Sequence, residues 1–451
     1  MSEFLGSVWW LLVTLGLLIT FHEFGHYWVG RRFGVHVLRF SIGFGKPLWS
    51  RRDRHGTEFT LSAIPLGGYV KFLDEREDEV PPAQRAQAFN TKPIGQRMAI
   101  VAAGPAANLL FALLAFWSMY LIGKQDFAPV LGRAEGLAAQ AGLQAGDRLV
   151  AVDGAAVQTW THAALGLITA GVDRRPLAIE AEAADGSRRQ LTLDLSALPE
   201  GTREQNMLDA AGLVPRHLAF PPVIGEVVEG RPGAQAGLQT GDRLLAINET
   251  ALADWRQVPA LIQRGGASQG ELRLLVDRGG ERLRLRAVPE STLGADGQPT
   301  WQLGIAAARP AVEYDALLRY GPVEAIAASA RETWTMTSAT VGMLWRMVAG
   351  RASLENISGP ISISQYANAS ARSGLGHFLW FLGVISLSLC IINLLPIPIL
   401  DGGHLLYYLI ELIKGSPLSE QAMAAGQYIG LVLLAGLMGL AFYNDIARLV
   451  S

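Results

Sequence analysis

His22-Glu23-Phe24-Gly25-His26 sits inside a long apolar run from Val8 to Val29, so a pattern of metal-ligand type falls where the chain is built to cross a lipid bilayer. On an α-helix, residues four apart point only about 40° apart around the axis. His22 and His26 can therefore offer imidazole nitrogens to one metal ion. Glu23 projects beside them, poorly placed to share the coordination sphere but able to reach a water at the metal and take its proton. The alternative is chance occurrence of the five-residue pattern. Membrane depth weighs against chance, because a carboxylate near a bilayer centre costs about 2.5 to 3.5 kcal/mol on insertion scales. His22, Glu23 and His26 are the polar cluster of an otherwise apolar segment.

Half of the 451 residues are hydrophobic and only 17% are charged, and the mean hydropathy is positive. This is the composition of an integral membrane protein with room for soluble modules. No basic block is interleaved with aromatics, which argues against nucleic acid as a partner. Cys390 is the single cysteine and forms no intrachain disulfide. Four stretches are long and apolar enough to span: Val8 to Val29, Met98 to Ile122, Phe378 to Leu400 and Ala424 to Tyr443. Glu3 stands where a signal peptide would carry basic residues, so the first run reads as a retained helix.

Basic residues orient these spans. Arg31, Arg32, Arg39, Lys46, Arg51, Arg52 and Arg54 follow the first span, and Lys92 and Arg97 precede the second, which places this loop in the cytoplasm. Both termini and the long segment from Gly123 to His377 then lie outside, and the first and third spans end at the same cytoplasmic face. A catalytic zinc takes three protein ligands and leaves one position open. Just past the third span stands Asn393-Leu394-Leu395-Pro396-Ile397-Pro398-Ile399-Leu400-Asp401-Gly402-Gly403-His404. The two prolines break or kink the helix, and the glycine pair permits a tight turn, so Asp401 is expected on irregular backbone near the membrane boundary. It reads either as a solvated helix cap or as the third ligand; its placement on the face of His22 and His26 favours the ligand. His404 is read as supporting rather than ligating. Asn393 is read as a donor to substrate or to a developing oxyanion, or else as an interhelical hydrogen-bonding residue.

The His-Glu-x-x-His pattern in the first span, together with the Asn-x-x-Pro-x-Pro-x-x-Asp-Gly-Gly run, resembles the site-2 protease family of intramembrane zinc metalloproteases. Four spans with a large outer insert resemble its bacterial members most closely. Gly43-Phe44-Gly45, the run from Pro65 to Phe72 and Gly104-Pro105-Ala106-Ala107-Asn108 match further family patterns, and the likeness covers nearly the whole chain. The resemblance implies a membrane-associated β-hairpin after the first span. Strand pairing against Gly67, Gly68, Tyr69 and Val70 could hold a substrate segment extended; the other reading makes the hairpin a cytoplasmic cap.

The insert repeats itself. Ala141-Gly142-Leu143-Gln144-Ala145-Gly146-Asp147-Arg148-Leu149 parallels Ala236-Gly237-Leu238-Gln239-Thr240-Gly241-Asp242-Arg243-Leu244, and each is followed by alternating apolar residues. Both copies look like PDZ domains, α+β modules able to bind an extended peptide at a sheet edge or to act as a steric filter. The expected organisation is residues 1–123 for the first two spans and the hairpin, 124–220 and 221–312 for the PDZ-like pair, 313–377 for an amphipathic helix and connector, and 378–451 for the last two spans. Val323, Ile326, Ala330, Trp334, Val341, Trp345 and Val348 recur at mostly helical spacing, for a helix resting on the outer membrane surface or against a PDZ-like domain.

These readings predict zinc held by His22, His26 and Asp401, with Glu23 as general base. A transmembrane substrate must unwind first, because its carbonyls are hidden in helical hydrogen bonds. The resemblance implies an enzyme of the bacterial inner membrane, with termini and insert periplasmic. It also implies a second cut in a single-pass anti-sigma factor during an envelope stress response, and cleavage of leftover signal peptides. Two rivals remain: a PDZ-bearing membrane scaffold needing no metal, and a metal transporter, which would line a polar path across the bilayer.

Overall fold

Among the described residues of the computed structural model, four helices are long and apolar enough to cross a bilayer: Glu3–Arg32, Ile94–Ile122, Leu375–Leu394 and Glu420–Leu449. The structure describes residues 2–76, 79–293, 299–308 and 313–450. These divide into two compact units, one formed by the chain up to Gln125 together with Leu317–Ser451, the other by Asp126–Ala316.

In the first unit, helix α1 (Ser2–Arg32) is followed by strands β1 (Val37–Arg52) and β2 (Glu58–Phe72), then by helix α2 (Ile94–Ile122). After the insert come α3 (Pro322–Val348), α4 (Pro360–Arg372), α5 (Leu375–Leu394), α6 (Asp401–Lys414) and α7 (Glu420–Val450). The third span is shorter than expected. Hydropathy carries it to Leu400, but α5 ends at Leu394 and α6 begins afresh at Asp401. Pro396 and Pro398 stand between the two helices, where neither can donate a helical hydrogen bond. Asp401 is accordingly not on irregular backbone but in the first turn of a helix, where a carboxylate is favoured by the exposed N–H groups. Gly402 and Gly403 do not turn the chain either. A Cβ on Gly402 would lie 2.3 Å from the Leu395 carbonyl oxygen, and one on Gly403 would lie 2.4 Å from that of Ile397. The glycine pair lets α6 fold back tightly on the segment before it.

The expected hairpin is present and more elaborate. Residues 39–42 of β1 pair with 58–61 on one side and 68–71 on the other, while residues 47–52 pair with 58–62. Two bent strands thus make a small four-stranded sheet. Gly43 has φ near +90° at the bend, and a Cβ there would meet the Ile64 and Ser62 carbonyl oxygens. Residues 68–72 form an outer edge that runs along α1, since a Cβ on Gly68 would touch Ile19 and Glu23 and one on Gly30 would strike the Phe72 ring.

The amphipathic helix α3 packs on the membrane helices. Its Glu332, buried, accepts hydrogen bonds from the Tyr120 hydroxyl at 3.2 Å and the Trp380 indole at 3.1 Å, while Val323, Trp334, Trp345 and Val348 face outward. Asp445, in α7, is a feature the apolar pattern hides. Its carboxylate accepts from the backbone N–H groups of Gly359, Ile361 and Ser362 and from the Ser362 hydroxyl, so one helix caps the start of another.

The second unit contains the same arrangement twice. Strands Ala155–Ala156, Arg148–Val152, Pro176–Glu182 and Arg188–Asp194 form one sheet, and Thr250–Ala251, Arg243–Ile247, Leu272–Arg278 and Glu281–Ala287 form another in the same order. Each sheet covers its own helix, Trp160–Val172 or Gln257–Gln269, over a separate apolar core. The repeated Gly-Asp-Arg element has a shared purpose. Asp147 receives Arg189 at 2.6 Å and Asp242 receives Arg278 at 2.7 Å; burial pushes the Asp242 carboxyl up, and the bonds from Arg278 and the Gln239 N–H outweigh it and hold the group below the usual carboxylate range. Residues 309–312, at the end of the second repeat, lie outside the described residues.

Helices α1 and α2 cross closely at Gly25. A Cβ on Gly25 would lie 2.2 Å from the Ala103 carbonyl oxygen, whereas one on Gly16 meets nothing within 4 Å. Gly25→Ala is expected to destabilise the protein by ~1–3 kcal/mol through overpacking, and Gly16→Ala to leave it unchanged or slightly more stable. Thermal unfolding of the purified protein in detergent compares the two.

Candidate metal centre

The same close crossing brings side chains of α1 against backbone of α2. A Cβ on Gly104 would lie 2.2 Å from His26 Nε2 and 2.8 Å from His22 Cε1, so the space both imidazoles occupy exists because residue 104 has no side chain. His26 Nδ1 lies 2.9 Å from the Ile100 carbonyl oxygen, which can only accept. That bond places the proton on Nδ1 and leaves Nε2 with its lone pair facing the centre of the cluster. His22 stands one turn earlier, its Nδ1 3.2 Å from Asn108 Nδ2.

Asp401 completes the group from the start of α6. His22 Nε2 and His26 Nε2 are 3.2 Å apart, and Asp401 Oδ2 lies 3.2 Å from the first and 3.5 Å from the second. A tetrahedral zinc with bonds of about 2.0–2.1 Å needs ligand-to-ligand edges of ~3.3 Å, so these three atoms fit one face of such a tetrahedron. Asp401 Oδ2 is buried and no donor is aligned on it, an unsatisfied state that a cation would relieve. Two imidazoles and a carboxylate suit zinc and leave its fourth position open. Among the described residues no other group of three histidine, cysteine or acidic side chains gathers in this way.

Two contacts hold α6 in place. The Arg97 guanidinium, near the start of α2, donates to both oxygens of Glu411 at 2.7 and 3.2 Å and lies 4.8 Å from the centre of the Tyr408 ring. At the other end, the Gly402–Gly403 packing fixes the residue beside the ligand carboxylate. No hydropathy or motif argument indicates the Arg97–Glu411 pair, because its members are 314 positions apart. Asn108 and Gly104 did carry a signal: they lie one helical turn apart in an apolar span, in a stretch that matches a family pattern.

A cavity of about 860 Å³ opens beside these atoms. His22, Glu23, His26 and Asp401 line it, as do Asn393 and residues 68–72 of β2. A Cβ on Gly68 would lie 3.0 Å from Glu23 Cγ, so the outer edge of the sheet runs beside Glu23. Of the residues expected to engage substrate, Gly68, Tyr69, Val70 and Asn393 border this space; Gly67 does not, and stands against the Phe44 ring instead. Asn393 makes no side-chain hydrogen bond among the described residues. His404 also lines the cavity, apart from the three-atom cluster, and burial pushes its imidazole pKa down. Asp74, farther along the wall, is held below the usual carboxylate range: burial raises it, and the two bonds from Arg76 outweigh that.

Known proteins share this pattern over the full chain. The model of peptidase family M50 matches residues 10–437. A Xylella fastidiosa (strain Temecula1) protein named as a zinc metalloprotease is 51% identical over 447 residues, covering 99% of this chain and 100% of the relative. The regulator of sigma-E protease RseP of Escherichia coli (strain K12) is 42% identical over 456 residues, 100% of both chains. Its namesake in Salmonella typhimurium (strain 14028s) is 42% identical over 445 residues, 97% of this chain and 98% of the relative. With zinc as its cofactor and peptide-bond hydrolysis as its reaction, the chain belongs to peptidase family M50, the site-2 proteases.

Proposed function

We propose that this protein hydrolyses peptide bonds in the transmembrane segments of single-pass proteins, with His22, His26 and Asp401 holding the zinc and Glu23 acting as general base. The observation that carries this reading is the convergence of three ligand atoms, at separations of 3.2 to 3.5 Å, beside a glutamate and an open strand edge in one cavity. Bound zinc supplies Lewis-acid activation of water and carbonyl. Glu23 accepts the proton of the attacking water and can pass it to the leaving amine. Asn393, which makes no side-chain hydrogen bond among the described residues, donates to the carbonyl oxygen as negative charge develops there.

The substrate is held as a strand. A helix hides its carbonyls, and residues 68–72 offer an edge on which an unwound segment can re-form its backbone hydrogen bonds. A strand added there lies alongside Glu23. The proposed setting is the bacterial inner membrane, with the site near the cytoplasmic face and the termini and insert in the periplasm, as the arginine-rich segment after α1 supports.

The repeated sheets and helices of the insert support two PDZ domains, residues 124–220 and 221–312, between the paired spans of residues 1–123 and the connector and spans of 313–377 and 378–451. We assign them the role of a size filter. Relatives named as regulators of sigma-E protease support an anti-sigma factor as substrate, cut here only after another protease has removed its outer portion; remnant signal peptides fit the same site.

Glu23→Gln is expected to keep its zinc and to lower cleavage of a truncated single-pass reporter by about 10²- to 10⁴-fold; undiminished cleavage with metal intact would remove Glu23 from the mechanism. Deleting residues 124–312 is expected to allow cleavage of the full-length substrate. Continued dependence on the first cut in that deletion would refute the filter.

A further inference from the structure

The sheet that follows α1 is polarised along its length. Residues 68–72 run beside α1, with Gly68 against Ile19 and Glu23 and Phe72 against Gly30. The bend at Gly43 therefore lies toward the apolar middle of α1. The turn of residues 53–56 lies at the other end, where Arg31 reaches Asp53 at 3.4 Å. The bend end is apolar: Phe44, Leu48, Trp49, Leu61 and Ile64 are all exposed. Trp49 stands across from Leu61, Arg51 from Phe59 and Arg52 from Glu58, so within about 10 Å of strand the surface passes from apolar to cationic. Lys46 stands near the bend, and its long stem lets the ammonium reach toward the charged end.

The cations at the turn are not neutralised locally. Both nearby carboxylates are engaged elsewhere: Asp53 accepts the His55 and Thr57 N–H groups at 2.9 Å as well as Arg31, and Glu58 accepts two bonds from Arg39. Arg51, Arg52 and Arg54 are exposed and make no side-chain hydrogen bond or ion pair among the described residues. Together with Trp49, Phe59 and the turn they line a shallow cleft of about 560 Å³.

We propose that this cleft binds the headgroup of an anionic phospholipid from the leaflet beside it, the cytoplasmic one in the orientation given above. Guanidinium groups match phosphate oxygens in charge and geometry. Trp49 sits at the join of the apolar and charged halves, as aromatic residues do at a bilayer interface, and the apolar half continues the site toward the acyl chains. A soluble phosphate would use only the charged half. A headgroup held at the turn also sets the depth of the sheet, because residues 58–61 pair with 39–42 and these with 68–71, the edge beside Glu23. The inference rests on the membrane placement of this segment and not on the assigned reaction.

The test is binding of tritium-labelled phosphatidylglycerol to the purified full-length chain in detergent, read by scintillation proximity and competed with unlabelled phosphatidylglycerol, phosphatidylcholine or glycerol 1-phosphate. Phosphatidylglycerol is expected to compete at least about tenfold better than either alternative. The triple variant Arg51→Gln/Arg52→Gln/Arg54→Gln is expected to bind at least about tenfold more weakly, while Arg282→Gln/Arg284→Gln/Arg286→Gln, which removes three exposed arginines of the insert, stays within about twofold of wild type. Unchanged binding in the first variant, or an equal fall in the second, would overturn the site. Equal competition by phosphatidylcholine would reduce it to apolar contact, and equal competition by glycerol 1-phosphate would make it a site for soluble phosphate; either result contradicts the proposal. Should the first variant not fold, the wild type decides through salt: phosphatidylglycerol binding is expected to weaken several-fold between about 0.1 and 0.5 M sodium chloride, and salt-independent binding would contradict an arginine site. Hydrolysis plays no part in this assay, so failure of the proposed reaction and failure of the lipid site are separate results.

Discussion

Holding two imidazoles and a carboxylate together inside an apolar bundle is the constraint around which this protein is arranged. Each group is costly to bury alone, and each is useful only when its metal-facing atom is bare and the rest of it is tied down. The fold meets both demands through close helix approach. Gly25 and Gly104 bring α1 and α2 near enough for the Ile100 carbonyl to reach His26 and for Asn108 to reach His22. Gly402 and Gly403 do the same for the short segment that delivers Asp401. Glycine serves here as the absence of a side chain at a helix contact, and the imidazoles occupy the room.

The second requirement is access. A hydrolytic centre in a membrane needs a water-accessible space and a place for an extended chain; helices α1, α2, α6 and α7 enclose most of the cavity, and the sheet inserted between α1 and α2 contributes residues 68–72 to its wall. The sheet's outer edge lies along α1 at the level of Glu23 and borders the cavity, so in the proposed mode the substrate meets a backbone edge. Recognition through backbone hydrogen bonds is tolerant of sequence. That tolerance leaves selection to something else, and the insert, with two sheets of identical strand order over separate cores, is the part of the chain available for it.

How much of this could be read from the sequence depends on distance along the chain. The His22–Glu23–His26 spacing is local and translates directly into one helix face, and the doubled Gly-Asp-Arg element announces the doubled sheets. Asp401 was legible only through topology, because matching it to residues 375 and more positions away required knowing which ends of the spans share a face. Hydropathy overran the third span because Leu395, Ile397, Ile399 and Leu400 remain apolar past the helix end, and the prolines, not the composition, stop it. The bending of two strands into four, the Arg97–Glu411 pair and the cap that Asp445 provides for α4 were not legible at all. Each is a contact between segments whose individual patterns are ordinary.

Zinc-edge X-ray absorption of the purified protein, with metal content per chain, addresses the central assignment most directly. The wild type is expected to carry one zinc with two imidazoles and oxygen donors at about 2.0–2.2 Å, and Asp401→Ala is expected to lose an oxygen donor and most of its metal. An Asp401→Ala protein with the same zinc content and an unchanged spectrum would contradict the account, because the carboxylate from α6 would then have no part in holding the ion.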